Sequence, residues 1–260
     1  MDHCKKIEWF DEVDSTNTRL FADKESKPSG TVYCALSQNN GKGQRGNRWE
    51  SRKGENLTFS VLFRPESIPA DRQFVISQAS ALSVSEYLKG IGIASSIKWP
   101  NDIYVKDSKI CGILIEHSVS GSGISSAVIG IGLNLNQTSF PDNLRNATSA
   151  ALLSGKKFDL RAELETLTEI LLGRLREADT SAGREIIAKE YLDNLYRRNE
   201  WHRYIDRSNC DPLTATTEKV DGTPFTGRIT GVAANGCAIV EDKKTGEERL
   251  FAFKELSYII

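Results

Sequence analysis

The most chemically suggestive stretch of the chain is a glycine-rich loop, NNGKGQRGNRWES, at residues 39–51. Its glycines, Gly41, Gly43 and Gly46, spell GxGxxG, a pattern typical of dinucleotide-binding turns. Such a turn requires the third glycine to open a helix whose N-terminus holds the pyrophosphate. The residues that follow Gly46 show no apolar period and include a further glycine, Gly54. The sequence therefore argues against a dinucleotide site in this loop.

The same loop suits an anion of another kind. Lys42, Arg45 and Arg48 stand among unhindered backbone N–H groups, and together these form a cradle for phosphate. Trp49 adds a flat apolar face that would cover a ring. We expect the loop to be mobile without ligand and to become ordered on binding. Taken alone, it is equally consistent with a solvated connection between two strands.

A second candidate group is the segment KWPND, which ends a predicted strand. Pro100 fixes a turn here, because its ring forces the preceding residue out of the helical region. The turn brings together the polar side chains of Lys98, Asn101 and Asp102. A lysine that attracts phosphate, an amide, and a carboxylate able to bind Mg²⁺ or take a proton form a coherent chemical set. An incidental Asn-Asp turn is the alternative.

Two apolar strands are interrupted by glycines. KICGILIE begins with Lys109 and contains Gly112, and IGIGLNLN contains Gly130 and Gly132 before Asn134. A glycine inside a strand often marks the close approach of a ligand or of another backbone. Buried amides need partners, which the heteroatoms of a bound ring would supply. Ordinary sheet packing is the alternative at both places.

Composition limits the classes of function. The 34 Lys and Arg residues balance 35 Asp and Glu residues, so we expect no binding to nucleic acid or to an acidic membrane surface. The five cysteines are widely spaced and form no CxxC pair, which favours a reducing cytoplasm over a disulfide framework or a zinc site. No segment has the pattern of a signal peptide or a membrane span. We therefore expect a cytoplasmic protein.

The elements that must position these groups follow from periodicity. Strands are predicted at KIEWFDEV, TVYCALSQ, NLTFSVLF, IASSIKW, DIYVK, KICGILIEHSV and SAVIGIGLNLN. Helices are predicted after a cap at Ser15 or Thr16, over residues 71–89, and along the leucine-rich stretch that begins at Leu160. This pattern predicts an α+β fold, a mixed β-sheet with helices packed on one face.

The last part of the chain has a different residue pattern. From about Pro212 onwards, short β-branched runs alternate with the turn signals VDGTPF, AANG and KKTGEE. We expect residues 212–260 to form a small all-β domain and residues 1–211 to form the main domain. A β module of this size is marginal alone, so we expect it to dock on the main domain.

Taken together and in order, the segments DSTN, GKGQRGNRW, KWPND, KICGI and GIGLNLN resemble the biotin protein ligase family, the biotin–[acetyl-CoA-carboxylase] ligases. The segment from Phe225 onwards also resembles the small SH3-like domain of those enzymes. The resemblance implies a class II synthetase-like catalytic fold followed by an SH3-like β-barrel. Because DSTN begins at Asp14, it also implies that the DNA-binding domain of some members is absent and that the protein is not a repressor.

The resemblance implies a two-step reaction. The carboxylate of biotin attacks the α-phosphorus of Mg·ATP to give biotinyl-5′-AMP, and a lysine of a biotin carboxyl carrier protein then displaces AMP. Cationic side chains and Mg²⁺ would offset the repulsion between the anionic reactants, and the closed loop would exclude water. A homodimer is a further expectation, because the strand at Lys109–Glu116 and the GIGLNLN strand would expose an edge for a second subunit or for the carrier domain.

The resemblance also assigns roles to individual residues. It implies that Lys109, Lys98 and Asp102 act in catalysis, and Asp102 is also the candidate metal ligand. The residues implied for biotin binding are Ser15, Thr16, Asn17, Gln38, Gly41, Lys42, Gly43, Gln44, Lys109 and Gly112. The residues implied for ATP binding are Arg45, Arg48, Trp49, Lys98, Asn101 and Asn134.

The glycine loop departs from the family's usual GRGRxGRxW pattern. Lys42, Gln44 and Asn47 each replace an arginine, and the last two also lose the charge and the bidentate fork that grip phosphate. Two alternatives remain open at this point. One is a lipoate or octanoate ligase of the same fold, although its usual RRxSGGG-type segment is absent. The other is a non-catalytic protein that binds biotin.

Overall fold

The computed structural model of the protein describes residues 6–43, 48–144, 146–209 and 222–260. Within these ranges the helices are α1 (Thr16–Asp23), α2 (Phe74–Gly90), α3 (Ala150–Ser154), α4 (Leu160–Ala178) and α5 (Ser181–Asp193). The strands of the larger sheet are β1 (Lys6–Phe10), β2 (Thr31–Ala35), β3 (Leu57–Phe63), β4 (Ser96–Lys98), β5 (Asp102–Val105), β6 (Ser108–Ser120) and β7 (Gly123–Leu133). The strands of the smaller sheet are β8 (His202–Asp206), β9 (Thr223–Val232), β10 (Ala238–Asp242), β11 (Glu248–Phe251) and β12 (Leu256–Tyr258).

The larger sheet is mixed, as predicted. Its seven strands follow the order β1-β2-β3-β7-β6-β5-β4. β1 and β2 are parallel, and the other neighbouring pairs are antiparallel. The outermost strands are β1 and β4. β7 has a strand on both sides, but β5 pairs with β6 only from Ser108 to Gly112. Among the described residues, the outer side of β6 from Leu114 to Ser120 therefore has no paired strand, so the predicted edge is present on that part of β6 and not on the GIGLNLN strand.

Helices cover the larger sheet unequally on its two faces. α2 packs against α4, α5 and the sheet, and these helices enclose the main core that contains Val32 and Val61. Neighbouring strand residues point to the opposite face, because side chains alternate along a strand. Tyr33 and Leu62 pack there with Leu20 of α1 in a separate small cluster. The prediction of helices on one face thus holds for α2, α4 and α5, while the short α1 lies on the other face.

Local sequence signals account for where two of the helices begin. The hydroxyl of Ser15 accepts a hydrogen bond from the backbone N–H of Thr18 and caps α1, as predicted. The carboxylate of Asp159 caps α4 in the same way. The leucines that recur along α4 form its buried stripe, at Leu164, Leu167, Leu171 and Leu175. Burial of this stripe against α2 anchors the helical layer.

The smaller sheet is antiparallel, with the order β11-β10-β9-β8-β12, and is consistent with the SH3-like domain that the resemblance implies. It takes its first strand from His202–Asp206, ahead of the predicted start of this domain. The predicted boundary itself, between residues 211 and 212, lies outside the described residues. None of the helices in the described ranges is both long and apolar enough to cross a membrane.

The smaller sheet is docked on the main domain, as expected. The indole Nε1 of Trp99 donates a hydrogen bond of 2.9 Å to the carbonyl of Gly236. The ring of Phe253 packs against Trp99 and Phe74, with centroid separations of 5.5 and 5.7 Å. The KWPND turn therefore contacts the smaller sheet directly, and the two sheets together enclose a shared cavity.

Candidate active site

A cavity of about 990 Å³ lies between the two sheets. Most of the residues that the sequence singled out line it. These are Ser15, Thr16, Asn17, Gln38, Lys42, Gly43, Arg48, Trp49, Lys98, Asn101, Asp102, Lys109 and Gly112. The larger sheet therefore gathers five motifs that are scattered over about a hundred residues of sequence.

An ion pair stands in the wall of this cavity. The Nζ of Lys109 lies 2.7 Å from the Oδ1 of Asp102, and both side chains are partly exposed to the cavity. β5 and β6 are antiparallel neighbours, with Asp102 opposite Gly112, and the lysine at the start of β6 reaches the carboxylate at the start of β5. A charge-assisted pair of this kind holds both groups in fixed positions.

Lys98 is the second lysine of the site, and like Lys109 it is partly buried. Its Nζ lies 5.1 Å from the ring centroid of Tyr104 and 4.8 Å from that of Tyr258, which belongs to the smaller sheet. Burial lowers the pKa of Lys98, although the nearby carboxylate of Asp102 acts in the opposite direction. Docking of the smaller sheet thus places a lysine between two aromatic rings at the cavity wall.

A polar recess is formed by the N-terminus of α1. The backbone N–H of Thr16 donates to the Oε1 of Gln38 at 2.8 Å, and the Thr16 hydroxyl lies 3.1 Å from the same atom. Thr16 and Asn17 are almost completely buried, yet both line the cavity. The side-chain oxygen of Gln38 is engaged with Thr16, which turns its amide nitrogen away from this contact.

The indole of Trp49 lies across the glycines of β6 and β7. A β-carbon on Gly132 would come within 2.2 Å of Trp49 Cε2, and one on Gly112 within 3.3 Å of Trp49 Cζ3. The Nζ of Lys109 is 6.0 Å from the centroid of the same indole. The predicted reason for glycine in these strands, the close approach of another group, is therefore the approach of a tryptophan ring.

The glycine loop forms a paired stem beside the cavity. The backbone N–H of Trp49 donates to the carbonyl of Gly41 at 2.9 Å, and Lys42 is bridged to Arg48. Arg48 also donates to Asn40 Oδ1 at 3.1 Å. Gln44 and Arg45, predicted to bind biotin and ATP, lie outside the described residues.

Two predicted site residues lie away from the cavity lining, and the amide of a third is hydrogen-bonded to the backbone. Gly41 and Asn134 do not line the cavity. Asn134 is buried behind β7, and its amide donates to the carbonyl of Thr148 at 3.0 Å. Asn101 does line the cavity, but its amide nitrogen donates to the carbonyl of Ile113 on β6. The side chains of these two asparagines thus fasten the strands that carry the site.

Several residues at or beside the cavity carry no signal in the sequence. Ser60 connects Thr16 to Asn17 from β3, through hydrogen bonds of 2.8 and 2.6 Å. The smaller sheet supplies Arg207, Ser208 and residues 252–258 to the cavity wall. No local pattern marks any of these residues, because they reach the cavity only through strand order and the docking of the second sheet.

The charged side chains in the described wall are mostly cationic. The cations are Lys42, Arg48, Lys98, Lys109, Arg207 and Lys254, and the carboxylates are Asp102 and Glu255. A wall of this composition favours polyanions such as nucleoside triphosphates. The described histidines, His117 and His202, do not line the cavity.

The described part of the cavity offers few ligands for a metal ion. Within the described residues, no three side chains of the His, Cys, Asp and Glu types are grouped closely enough to hold one. Asp102 offers a single carboxylate, and its Oδ1 is already paired with Lys109. These groups fit Mg²⁺ only in the mode in which one carboxylate supplements phosphate oxygens and water.

Comparison with known proteins places this fold and cavity in a class. Residues 9–134 match the Biotin/lipoate A/B protein ligase family. This match begins inside β1, ends directly after β7 and includes residues of all five motifs that converge on the cavity. Residues 9–134 are therefore similar to the domain that defines this family.

Within that family, the similar proteins are biotin ligases. The bifunctional ligase/repressor BirA of Bacillus subtilis (strain 168) is 36% identical over 136 residues, which are 51% of this chain and 42% of BirA. The bifunctional ligase/repressor BirA of Escherichia coli (strain K12) is 31% identical over 192 residues, 72% of this chain and 59% of that protein. The chain thus spans about half the length of these curated relatives.

Solved structures agree over nearly the whole chain. The biotin protein ligase from Aquifex aeolicus in complex with biotin and ATP has a TM-score of 0.75 and 26% sequence identity, covering 97% of this chain and 98% of that one. The biotin protein ligase from Leishmania major in complex with biotinyl-5-AMP, at 19% identity and a TM-score of 0.60, covers 95% of this chain and 98% of its own and shares the fold. The likeness includes the smaller sheet, which lies outside the family match.

Proposed function

We propose that this protein is a biotin–[biotin carboxyl carrier protein] ligase, which activates biotin with ATP and transfers it to a carrier lysine. The observation that carries the proposal is the convergence of the Lys109–Asp102 pair, the partly buried Lys98 and the polar recess at Thr16 in one cavity. Its support from known proteins is the family match and the similarity to a biotin ligase that binds biotin and ATP.

The first step joins two anions. A carboxylate oxygen of biotin attacks the α-phosphorus of ATP, a new P–O bond forms, and pyrophosphate leaves with the electrons of the broken bond. Lys109 lines the same cavity as the recess, and its Nζ lies 6.0 Å from the Trp49 ring centroid. Its ammonium group would therefore bridge the biotin carboxylate and the α-phosphate. Such a cation stabilises charge that accumulates in the transition state. Lys42 and Arg48 would face the outer phosphates.

The second step transfers the biotinyl group. The amine of a carrier lysine attacks the acyl carbon of biotinyl-5′-AMP, an amide bond forms, and AMP leaves while the amine loses a proton. Asp102 is a carboxylate at the cavity wall, and we assign it the orientation of Lys109 and the acceptance of this proton. Lys98, held under Tyr258, would balance the charge of the departing AMP.

Mg²⁺ belongs to the proposal as a partner of ATP. Asp102 would supply one carboxylate to it, together with phosphate oxygens, and the bound ion would neutralise charge on the pyrophosphate that leaves. The described residues offer no larger protein-built cage for a metal.

The remaining proposals concern organisation. We propose a catalytic domain at residues 1–211, a smaller domain at residues 212–260 to which β8 contributes a strand, and a cytoplasmic location. The proposed macromolecular partner is the biotin carboxyl carrier domain of a biotin-dependent carboxylase. A homodimer, or the carrier domain, would use the outer side of β6 beyond Gly112, because β5 pairs with this strand only from Ser108 to Gly112.

Two assays test the function. Exchange of labelled pyrophosphate into ATP is measured with biotin, lipoate and octanoate side by side, and transfer to a carrier domain is then detected with labelled avidin. We expect exchange with biotin only, followed by biotinylation of the carrier. Exchange with lipoate or octanoate instead of biotin would identify the sibling activity that the family name also covers. Binding of biotin without exchange would identify a non-catalytic protein.

A further inference from the structure

A chain of hydrogen bonds runs behind the cavity wall from β6 to the N-terminus of α1. The Nδ2 of Asn17 lies 3.1 Å from Glu116 Oε2 and 3.4 Å from the carbonyl of Leu114. The hydroxyl of Ser60 donates to Asn17 Oδ1 at 2.6 Å, and Thr16 Oγ1 lies 2.8 Å from Ser60 Oγ. The chain therefore links a carboxylate outside the cavity lining to a hydroxyl that lies in it.

The acceptor groups of Glu116 and Leu114 determine which atom donates in each hydrogen bond of this network. A carboxylate and a carbonyl only accept hydrogen bonds, so Glu116 and Leu114 must face the amide hydrogens of Asn17. The Oδ1 of Asn17 is then an acceptor, and it takes the single hydroxyl hydrogen of Ser60. Ser60 has no hydrogen left for its contact with Thr16. The hydrogen in that contact must come from Thr16.

This arrangement fixes the orientation of the Thr16 hydroxyl at the cavity wall. The hydroxyl hydrogen of Thr16 is directed inward, toward Ser60 Oγ at 2.8 Å or Gln38 Oε1 at 3.1 Å. Its oxygen therefore presents lone pairs to the cavity. Gln38 has the opposite polarity, because its Oε1 accepts the backbone N–H of Thr16 and its amide nitrogen remains as the donor. An acceptor and a donor thus stand side by side in the recess.

We propose that Glu116 is a positioning residue that acts through Asn17 and Ser60 to keep the Thr16 hydroxyl an acceptor toward the ligand. The recess then selects a ligand in which an N–H stands beside a carbonyl, as in a cyclic urea or lactam. This inference rests on the proposed function, in which the ligand is biotin, because the ring of biotin contains a cyclic urea.

Gly130 provides the space that the side chain of Asn17 needs in this hydrogen-bond network. A β-carbon at this position would lie 2.3 Å from Asn17 Oδ1, so any larger residue would push the amide out of line with Ser60. The first glycine of the IGIGL segment, Gly130, thus leaves room for Asn17, whereas the second, Gly132, leaves room for Trp49. Gly130 therefore has a specific role, which is to leave room for the Asn17 amide, beyond any general requirement for sheet packing.

Calorimetric titration separates positioning from folding. The probes are biotin and its two carbamate analogues, in each of which one ureido N–H is replaced by oxygen. We expect the parent to prefer biotin over at least one analogue by roughly ten- to a hundredfold, the effect of one buried hydrogen bond with an unpaired partner. Glu116→Met, which is similar in length but cannot accept, should reduce this preference to about threefold or less. Glu116→Gln retains an acceptor and should keep most of it.

Glu163→Met is the matched control. Glu163 also accepts one hydrogen bond, from the Tyr87 hydroxyl at 2.8 Å, but it does not line the cavity. Its loss should leave the preference unchanged. If Glu116→Met does not fold, Ser60→Ala interrupts the same chain at its middle and should give the same loss of preference.

The outcomes separate this inference from the proposed function. A parent protein without the preference, or a folded Glu116→Met or Ser60→Ala variant that keeps it, overturns the inference even if biotin is activated. A parent with the preference that the variants lose, but without ATP–pyrophosphate exchange, supports the inference and removes the proposed enzymatic function.

Discussion

The indole of Trp49 lies so close to Gly132 that a β-carbon on the glycine would come within 2.2 Å of it. The contact joins the glycine loop to the C-terminal end of β7. It holds the tryptophan beside Lys109, whose Nζ is 6.0 Å from the ring centroid. The sheet thereby positions Trp49, which lies at the end of the glycine loop. The proposed nucleotide site thus depends on the absence of a side chain at position 132.

Replacement of Gly132 by alanine should displace the Trp49 ring. We expect the affinity for ATP to fall about tenfold and the free energy of unfolding to fall by about 1–3 kcal/mol, because the added methyl overpacks the contact. Calorimetric titration with ATP and urea unfolding measure the two effects. Gly173→Ala in α4 is the control, since no heavy atom lies within 4 Å of its would-be β-carbon, and it should stabilise the helix by about 0.5–1 kcal/mol. Parental ATP affinity in Gly132→Ala would contradict this role of the contact.

Lys109→Ala should abolish formation of the adenylate while the fold stays intact. The loss of one preorganised cation at the reacting oxygens predicts a decrease of at least about 10²–10³-fold in biotin-dependent ATP–pyrophosphate exchange. Lys27→Ala is a matched control, because Lys27 forms an ion pair of 2.8 Å with Glu8 at similar exposure, remote from the cavity lining. It should exchange at the parental rate. A folded Lys109→Ala variant that also does so would exclude the assigned role.

Lys98→Met should make the protein more stable at neutral pH but less active. Burial lowers the pKa of Lys98 in the folded state, so the folded protein binds fewer protons than the unfolded chain between that lowered pKa and the usual value of 10.5. Through this group, stability is reduced below the lowered pKa and rises with pH across the window. Urea unfolding at neutral and alkaline pH should show a gain for Lys98→Met that shrinks as pH rises. A loss of stability at neutral pH would mean that the aromatic contacts outweigh burial.

Trp99→Phe should weaken the junction of the two sheets. The change removes the hydrogen bond of 2.9 Å to the Gly236 carbonyl and leaves that acceptor buried, which predicts a loss of about 1–3 kcal/mol in the free energy of unfolding. Because the smaller sheet lines the cavity, the affinity for ATP should fall as well. Calorimetric unfolding and ATP titration provide the measurements. Unchanged ATP binding in a destabilised variant would show that this junction is purely structural.

Much of the main domain follows from the sequence because its signals are local. The cap at Ser15, the leucine stripe of α4 and the alternating strands β2 and β3 depend on residues within a few positions of each other. The motif residues Lys98 and Lys109 also reach the cavity as expected. Lys98 ends β4, whereas Asp102 and Lys109 lie at the starts of β5 and β6, and antiparallel pairing of these three strands puts the start of β5 beside the end of β4.

Other features depend on contacts between residues far apart in sequence. β7 lies between β3 and β6, and β5 covers β6 only from Ser108 to Gly112. The side chain of Asn134, just after β7, is turned to the carbonyl of Thr148. Neither property leaves a local trace, because the same apolar run fits an edge or an interior strand. The sequence therefore could not decide which of the two strands has an open side.

The sequence by itself determined the element types, the motifs and the chemistry that their side chains can perform, because these depend on near neighbours and on functional groups. Only the tertiary structure decided that Glu116 reaches Thr16 through Asn17 and Ser60, and that the smaller sheet contributes Arg207 to the wall. These contacts join residues from different strands and different sheets, and only the packed chain brings them within hydrogen-bonding distance or into one cavity.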